Sequence, residues 1–224
     1  GGEKMKIIQN LVSPSKYNIK CPYTMVPEFI VVHNTANDSS ARNEVAYMIR
    51  NSNQVSFHYA VDDKEIVQGI PENRNAWHAG DGSNGPGNRK GIGIEICYSK
   101  SGGKRFEEAE KLAAKFIASK LKEKNWGIDK VKKHQDFSGK YCPHRTLDMG
   151  WQRFLNIVQT ELYKLKGGNA VTKPDKNTPS PWAKESWEFC KREGLLDGNR
   201  PKNSLTRQEF AVVLHRLIKE GRIK

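Results

Sequence analysis

The chain has 224 residues, 36% of them hydrophobic and 28% charged, which is enough for one substantial core or for a medium domain with a small companion. Its longest clearly apolar run, Phe29-Ile30-Val31-Val32, falls far short of the roughly 20 residues of a spanning helix, so membrane insertion is not expected. The formal charge of +13 is spread along the chain, with 25 basic and 18 acidic residues through Leu165 and 13 and 7 after it.

Such a field suits polyanionic partners, and acidic cell-wall polymers fit it as well as nucleic acid does. No basic run interleaved with aromatic residues is present, so nucleic acid is not the expected partner. The N-terminus lacks the basic-then-apolar build of a secretion signal and Met5 reads as the native start, which predicts residence in the cytosol until release. Cys21, Cys97, Cys142 and Cys190 are scattered without a C-x-x-C pair and read as thiols or metal ligands rather than a disulfide framework.

Taken in chain order, Glu28 to His33 reads as a short buried strand. Asp38 is placed to cap a following helix whose Val45, Met48 and Ile49 fall at helical spacing. Val55 to Val61 alternates as a strand, with Val55, Phe57, Tyr59 and Val61 on one face and Ser56, His58 and Ala60 on the other. The segment Asn73 to Lys90 is a long glycine-rich loop of the kind that often carries function. Gly91 to Tyr98 reads as another strand, Arg105 to Lys124 as an amphipathic helix and Trp151 to Leu165 as a second one. This order predicts an α/β domain over residues 5–165, a mixed central sheet with helices packed on it. Residues 166–180, with Gly167, Gly168, Pro174 and Pro179, read as a linker, and residues 181–224 as a small all-α module.

Two places carry chemistry. His33 ends an apolar strand that would hold its ring rigidly, and His134 and Cys142 stand eight residues apart. Two imidazoles and a thiol form a donor set suited to zinc with one tetrahedral position left for water. By spacing alone each also fits a structural role, as a satisfied histidine or a buried cysteine, and nothing in the spacing brings His33 to the other two. Glu95 is an acid inside the otherwise apolar strand Ile92 to Ile96, a costly place for a carboxylate without a partner or a purpose.

The segments Val31-Val32-His33-Asn34-Thr35, Ser56-Phe57-His58-Tyr59-Ala60-Val61, Asn75-Ala76-Trp77-His78-Ala79-Gly80, Gly93-Ile94-Glu95-Ile96 and His134 to Pro143 occur in the order found in type 2 N-acetylmuramoyl-L-alanine amidases. That family includes phage endolysins and the related peptidoglycan recognition proteins, and the resemblance covers about residues 5 to 162. It implies a zinc ion held by His33, His134 and Cys142, peptidoglycan as substrate, Glu95 as the proton carrier and Lys140 as an oxyanion stabiliser. It also implies that His78 lines the substrate groove. Some relatives carry Tyr at the position of Phe57, a substrate-side residue here that has no proton to give, so the proton work falls on Glu95. The expected setting is a phage or prophage lysis enzyme.

From Pro181 the chain resembles a single S-layer homology motif, with Thr206 and Glu209 as a capping box and Arg207 in the Thr-Arg-x-Glu signature. The resemblance implies binding of secondary wall polysaccharide through Arg207. The loop between its helices is shorter than usual and only one copy is present, and the bland reading is a helical hairpin around Trp182, Trp187 and Phe189. Two rival readings of the whole chain are a non-catalytic peptidoglycan recognition module and a cysteine peptidase using Cys97 or Cys142.

Overall fold

A computed structural model describes residues 6–167, 179, 184–194, 207–219 and 221. The chain divides into two compact units, Gly1–Asn169 and Ala170–Lys224. In the first, six strands form one mixed sheet in the order β1-β4-β3-β5-β2-β6. They are β1 (Ile7–Gln9), β2 (Phe29–Asn34), β3 (Tyr59–Val61), β4 (Ile66–Gln68), β5 (Gly91–Ile96) and β6 (Val131–Lys133). Only β3 and β4 run antiparallel; β1 with β4, β3 with β5, β5 with β2 and β2 with β6 are parallel pairs. No helix among the described residues is long and apolar enough to cross a membrane.

The two central strands are two-faced. Ile30 and Val32 of β2 and Ile92, Ile94 and Ile96 of β5 are fully buried in the main core. Helices α4 (Gly103–Glu123) and α7 (Trp151–Leu165) add a large share of that core, whereas α1 (Tyr17–Lys20) and α3 (Pro86–Lys90) are single short turns. Phe154, Val158 and Leu162 repeat every four residues along α7 and are all buried, the spacing that lays one helical stripe against a neighbour. The opposite face of the same strands carries Val31 and His33 beside Gly91, Gly93 and Glu95, because side chains alternate with period two. That second face holds the chemistry.

Helix α2 (Ala41–Arg50) lies near β3 and β4, where Met48 and Val45 approach Gly69 so closely that a Cβ there would stand 2.5 Å from the Met48 Cε. Its cap is Ser40, whose Oγ accepts from the Asn43 N–H at 3.3 Å. The expected cap, Asp38, instead accepts from the Ser101 backbone N–H and hydroxyl, holding together two loops that sequence spacing does not relate. The expected strand over 55–61 is shorter than the alternation predicts: only Tyr59–Val61 joins the ladder. Ser56, His58 and Ala60 are as buried as Phe57, Tyr59 and Val61, since both sides of the segment are covered. The alternation therefore marked a face of the chain rather than a wet side.

In the second unit, helices α8 (Lys184–Arg192) and α9 (Arg207–Lys219) are described. Arg207 opens α9, but its side chain, Thr206 and Trp182 lie outside the described residues. Trp187 is partly buried and Phe189 exposed.

Candidate metal centre

His33 sits near the C-terminal end of β2, one strand from Glu95, its direct neighbour in register on β5. Parallel strands that end together present their last side chains to one crevice, the usual place for a site in a sheet of this kind. Strand β6 leads straight into His134, whose N–H donates to the Val32 carbonyl at 3.3 Å. A single turn of helix, α5 (Gln135–Ser138), then stops at Gly139, which adopts φ of 76° and turns the chain back. The Gln135 N–H donates to the Cys142 carbonyl at 3.0 Å, closing that loop. The spacing of eight residues between His134 and Cys142 is thus one helical turn and a return.

The result is convergence. His33 Nδ1 is 3.0 Å from His134 Nδ1 and 3.8 Å from Cys142 Sγ. All three residues are buried, and their candidate ligand atoms lie within 4.8 Å of one another. Burial lowers the pKa of His33 well below the ordinary range, with His78, His134 and Lys140 adding to the effect. Burial, then the Lys140 ammonium, also lowers His134. Two imidazoles held neutral, with ring nitrogens facing each other beside a sulfur, are the donor set that zinc accepts. The residues present fit the metal.

Asn34 builds the wall behind Cys142. Its Oδ1 accepts from the Arg145 and Thr146 N–H groups at 2.9 and 3.1 Å, and its Nδ2 donates to Thr146 Oγ1, tying β2 to the start of α6 (His144–Asp148). Sequence spacing gave no sign of this role for Asn34. The thiol of Cys142 is pushed up to about 11 by burial and then by the nearby Glu95 charge. Burial raises Cys97 further still. Burial thus holds both thiols above the ordinary range, the opposite of the lowered pKa that marks a cysteine nucleophile.

Glu95 is raised to about 8, by burial first and by the Glu44 carboxylate second, with Lys140 pulling the other way. Its Oε2 is sealed from solvent and has no hydrogen-bond partner. The rest of the side chain lines a cavity of about 210 Å³ with Thr35, Glu44, Met48 and Phe57. Glu44, a second carboxylate beside the first, escaped the sequence reading because it lies on a helix 51 residues away; it accepts from Asn37 Nδ2 at 2.7 Å. Phe57 is 6% exposed, part of the core cluster as well as the cavity wall. Lys140 is exposed, and its charge bears on His33, Glu95, His134 and Cys142 together.

His78 does not stand on an open groove. It is 7% exposed, with its Nδ1 3.0 Å from His33 Nε2 and its Nε2 3.2 Å from the Gly91 carbonyl.

The sequence profile of the N-acetylmuramoyl-L-alanine amidases matches residues 23–145, a stretch that contains every residue of this centre. The chain belongs to that family. It is 62% identical over 164 residues to the N-acetylmuramoyl-L-alanine amidase CwlA of Bacillus subtilis (strain 168), covering 73% of this chain and 60% of CwlA. With XlyB of the same organism, also named an N-acetylmuramoyl-L-alanine amidase, it shares 62% identity over 155 residues, 69% of this chain and 49% of XlyB. The chain thus spans about half to three fifths of the length of these curated relatives. The solved structure of PlyL superposes with a TM-score of 0.68 at 54% identity, over 74% of this chain and 99% of PlyL. The mixed sheet with flanking helices is the architecture this chain shares with PlyL.

Proposed function

We propose that this protein is a zinc-dependent amidase that hydrolyses the bond between N-acetylmuramic acid and L-alanine in bacterial peptidoglycan, working as the lysis enzyme of a phage or prophage. The observation that carries the reading is the meeting of His33, His134 and Cys142 within 4.8 Å at the strand ends, next to Glu95. Family membership supports the bond cleaved, through the names of the relatives.

His33 and His134 offer ring nitrogens and Cys142 its sulfur to the ion. Zinc, when bound, supplies Lewis acidity toward the amide carbonyl and toward a water molecule. Glu95 takes a proton from the attacking water and delivers it to the departing amine of L-alanine. Lys140 stands at the rim, where its ammonium stabilises negative charge growing on the carbonyl oxygen. Phe57 gives the cavity an apolar wall and cannot share the proton work. In the second unit, Arg207 and its helix are proposed to bind secondary wall polymer.

The test is metal removal. Treatment with a strong chelator abolishes release of L-alanine amino termini from purified wall, and stoichiometric zinc restores it. Full release by metal-free protein overturns the reading. A protein that binds zinc and wall but frees no amino termini supports the recognition module instead.

A further inference from the structure

Resting on the proposed zinc centre, we propose that His78 is a positioning residue that fixes which nitrogen of His33 is left bare for the ion. One atom beside His78 has a single possible role. A backbone carbonyl only accepts hydrogen bonds, so the ring nitrogen facing it, His78 Nε2 at 3.2 Å from the Gly91 oxygen, carries the hydrogen. In a neutral imidazole the other nitrogen is then an acceptor. His78 Nδ1 therefore receives a hydrogen from His33 Nε2, 3.0 Å away, and His33 Nδ1 is left with a free lone pair. That atom is the one that faces His134 Nδ1 and Cys142 Sγ.

The fold holds the relay in place from three sides. The His78 ring lies over Gly93, where an added Cβ would stand 2.8 Å from its ring carbons, so β5 keeps a glycine on its site face to admit the imidazole. Asn88 Oδ1 accepts from the N–H groups of both His78 and Ala79 at 2.8 Å, clamping the loop that carries the ring. His58, the neighbouring buried ring, is committed elsewhere: its Nδ1 accepts from the Gly93 N–H and its Nε2 donates to the Arg74 carbonyl, each at 2.9 Å. The ring planes of His33 and His78 are nearly perpendicular, at 89°, with Nε2 of His33 facing His78 and Nδ1 facing the centre.

Two measurements test this. In metal-free, nitrogen-15-labelled protein, two-bond proton–nitrogen spectra distinguish protonated from bare ring nitrogens. His33 and His78 are both expected to carry hydrogen on Nε2, and a His33 protonated on Nδ1 overturns the proposal. Zinc affinity is then measured by competition with a chromophoric chelator. His78→Leu, which keeps bulk but loses the acceptor, is expected to weaken binding about 10- to 100-fold, while His78→Asn, which keeps a polar partner, stays within about threefold of wild type. Unchanged affinity in folded His78→Leu, or an equal loss in both variants, overturns it as well. If His78→Leu does not fold, the spectra of the wild type decide. Wild-type protein that shows the expected hydrogens yet takes up no zinc sinks the amidase reading and leaves the relay standing, so the two failures are separable.

Discussion

At the scale of single residues, Glu95 is the most exposed to test. A carboxylate that moves protons is worth about 10² to 10⁴ in rate, so Glu95→Gln is expected to lose that much turnover while zinc content, measured by atomic absorption, stays at wild-type level. Its titration also bears on stability. The folded-state value of about 8 lies above the ordinary 4.5, so between those two values the folded protein keeps a proton that the unfolded chain releases. The contribution is whole below about pH 4.5 and is lost as pH rises toward 8. Denaturant midpoints of the metal-free protein at pH 5 and pH 8.5 should differ by more than those of Glu95→Gln. An identical difference in the two proteins would refute the raised value. Glu95 stood out in the sequence because an acid inside an apolar strand is costly; Glu44, which helps to raise it, did not, because its helix meets the site only in three dimensions.

At the scale of elements, the glycines of β5 repay a change. The segment Gly91-Ile92-Gly93-Ile94-Glu95-Ile96 puts isoleucines into the core and leaves the other face almost bare, which makes room for His78. Gly93→Ala is expected to destabilise the fold by about 1–3 kcal/mol, since a methyl group there overpacks against a ring held from both ends. Thermal denaturation reads the loss, and weaker zinc binding should accompany it. The α2 cap offers a smaller effect: Ser40→Ala removes the acceptor for the Asn43 N–H at a cost of about 1 kcal/mol, whereas the same change at Asp38 affects the tie to Ser101 and not the helix end. The long strands and helices were legible because their apolar periods are long, as in α7. The three-residue strands β1, β4 and β6 were not, since so short a run carries no period and forms only when its neighbours supply the ladder.

At the scale of the whole molecule, a half-buried ion network ties the loop after β4 to the C-terminal end of α4. Glu72 meets Lys120 at 2.9 Å and Lys124 at 2.8 Å and accepts from the Tyr59 hydroxyl at 2.8 Å. Burial by itself would raise the Glu72 pKa, but Lys124, Lys120 and Tyr59 outweigh it and hold the value at about 2. A lowered carboxylate lends stability that is present above about pH 4.5 and lost as pH falls toward 2. Stability of the wild type should therefore drop across that window more steeply than that of Glu72→Gln; parallel curves would refute it. Deleting residues 181–224 is expected to abolish pelleting with wall while hydrolysis of soluble fragments continues, and unchanged pelleting would discard the wall-binding role. By itself the sequence determined the α/β class and the residue types able to hold a metal, because periodicity and chemical identity are local properties. Only the tertiary structure decided that His33 meets His134 and Cys142 and that His78 stands behind His33. Those contacts join segments up to 109 residues apart, and strand order and loop return create them rather than any spacing along the chain.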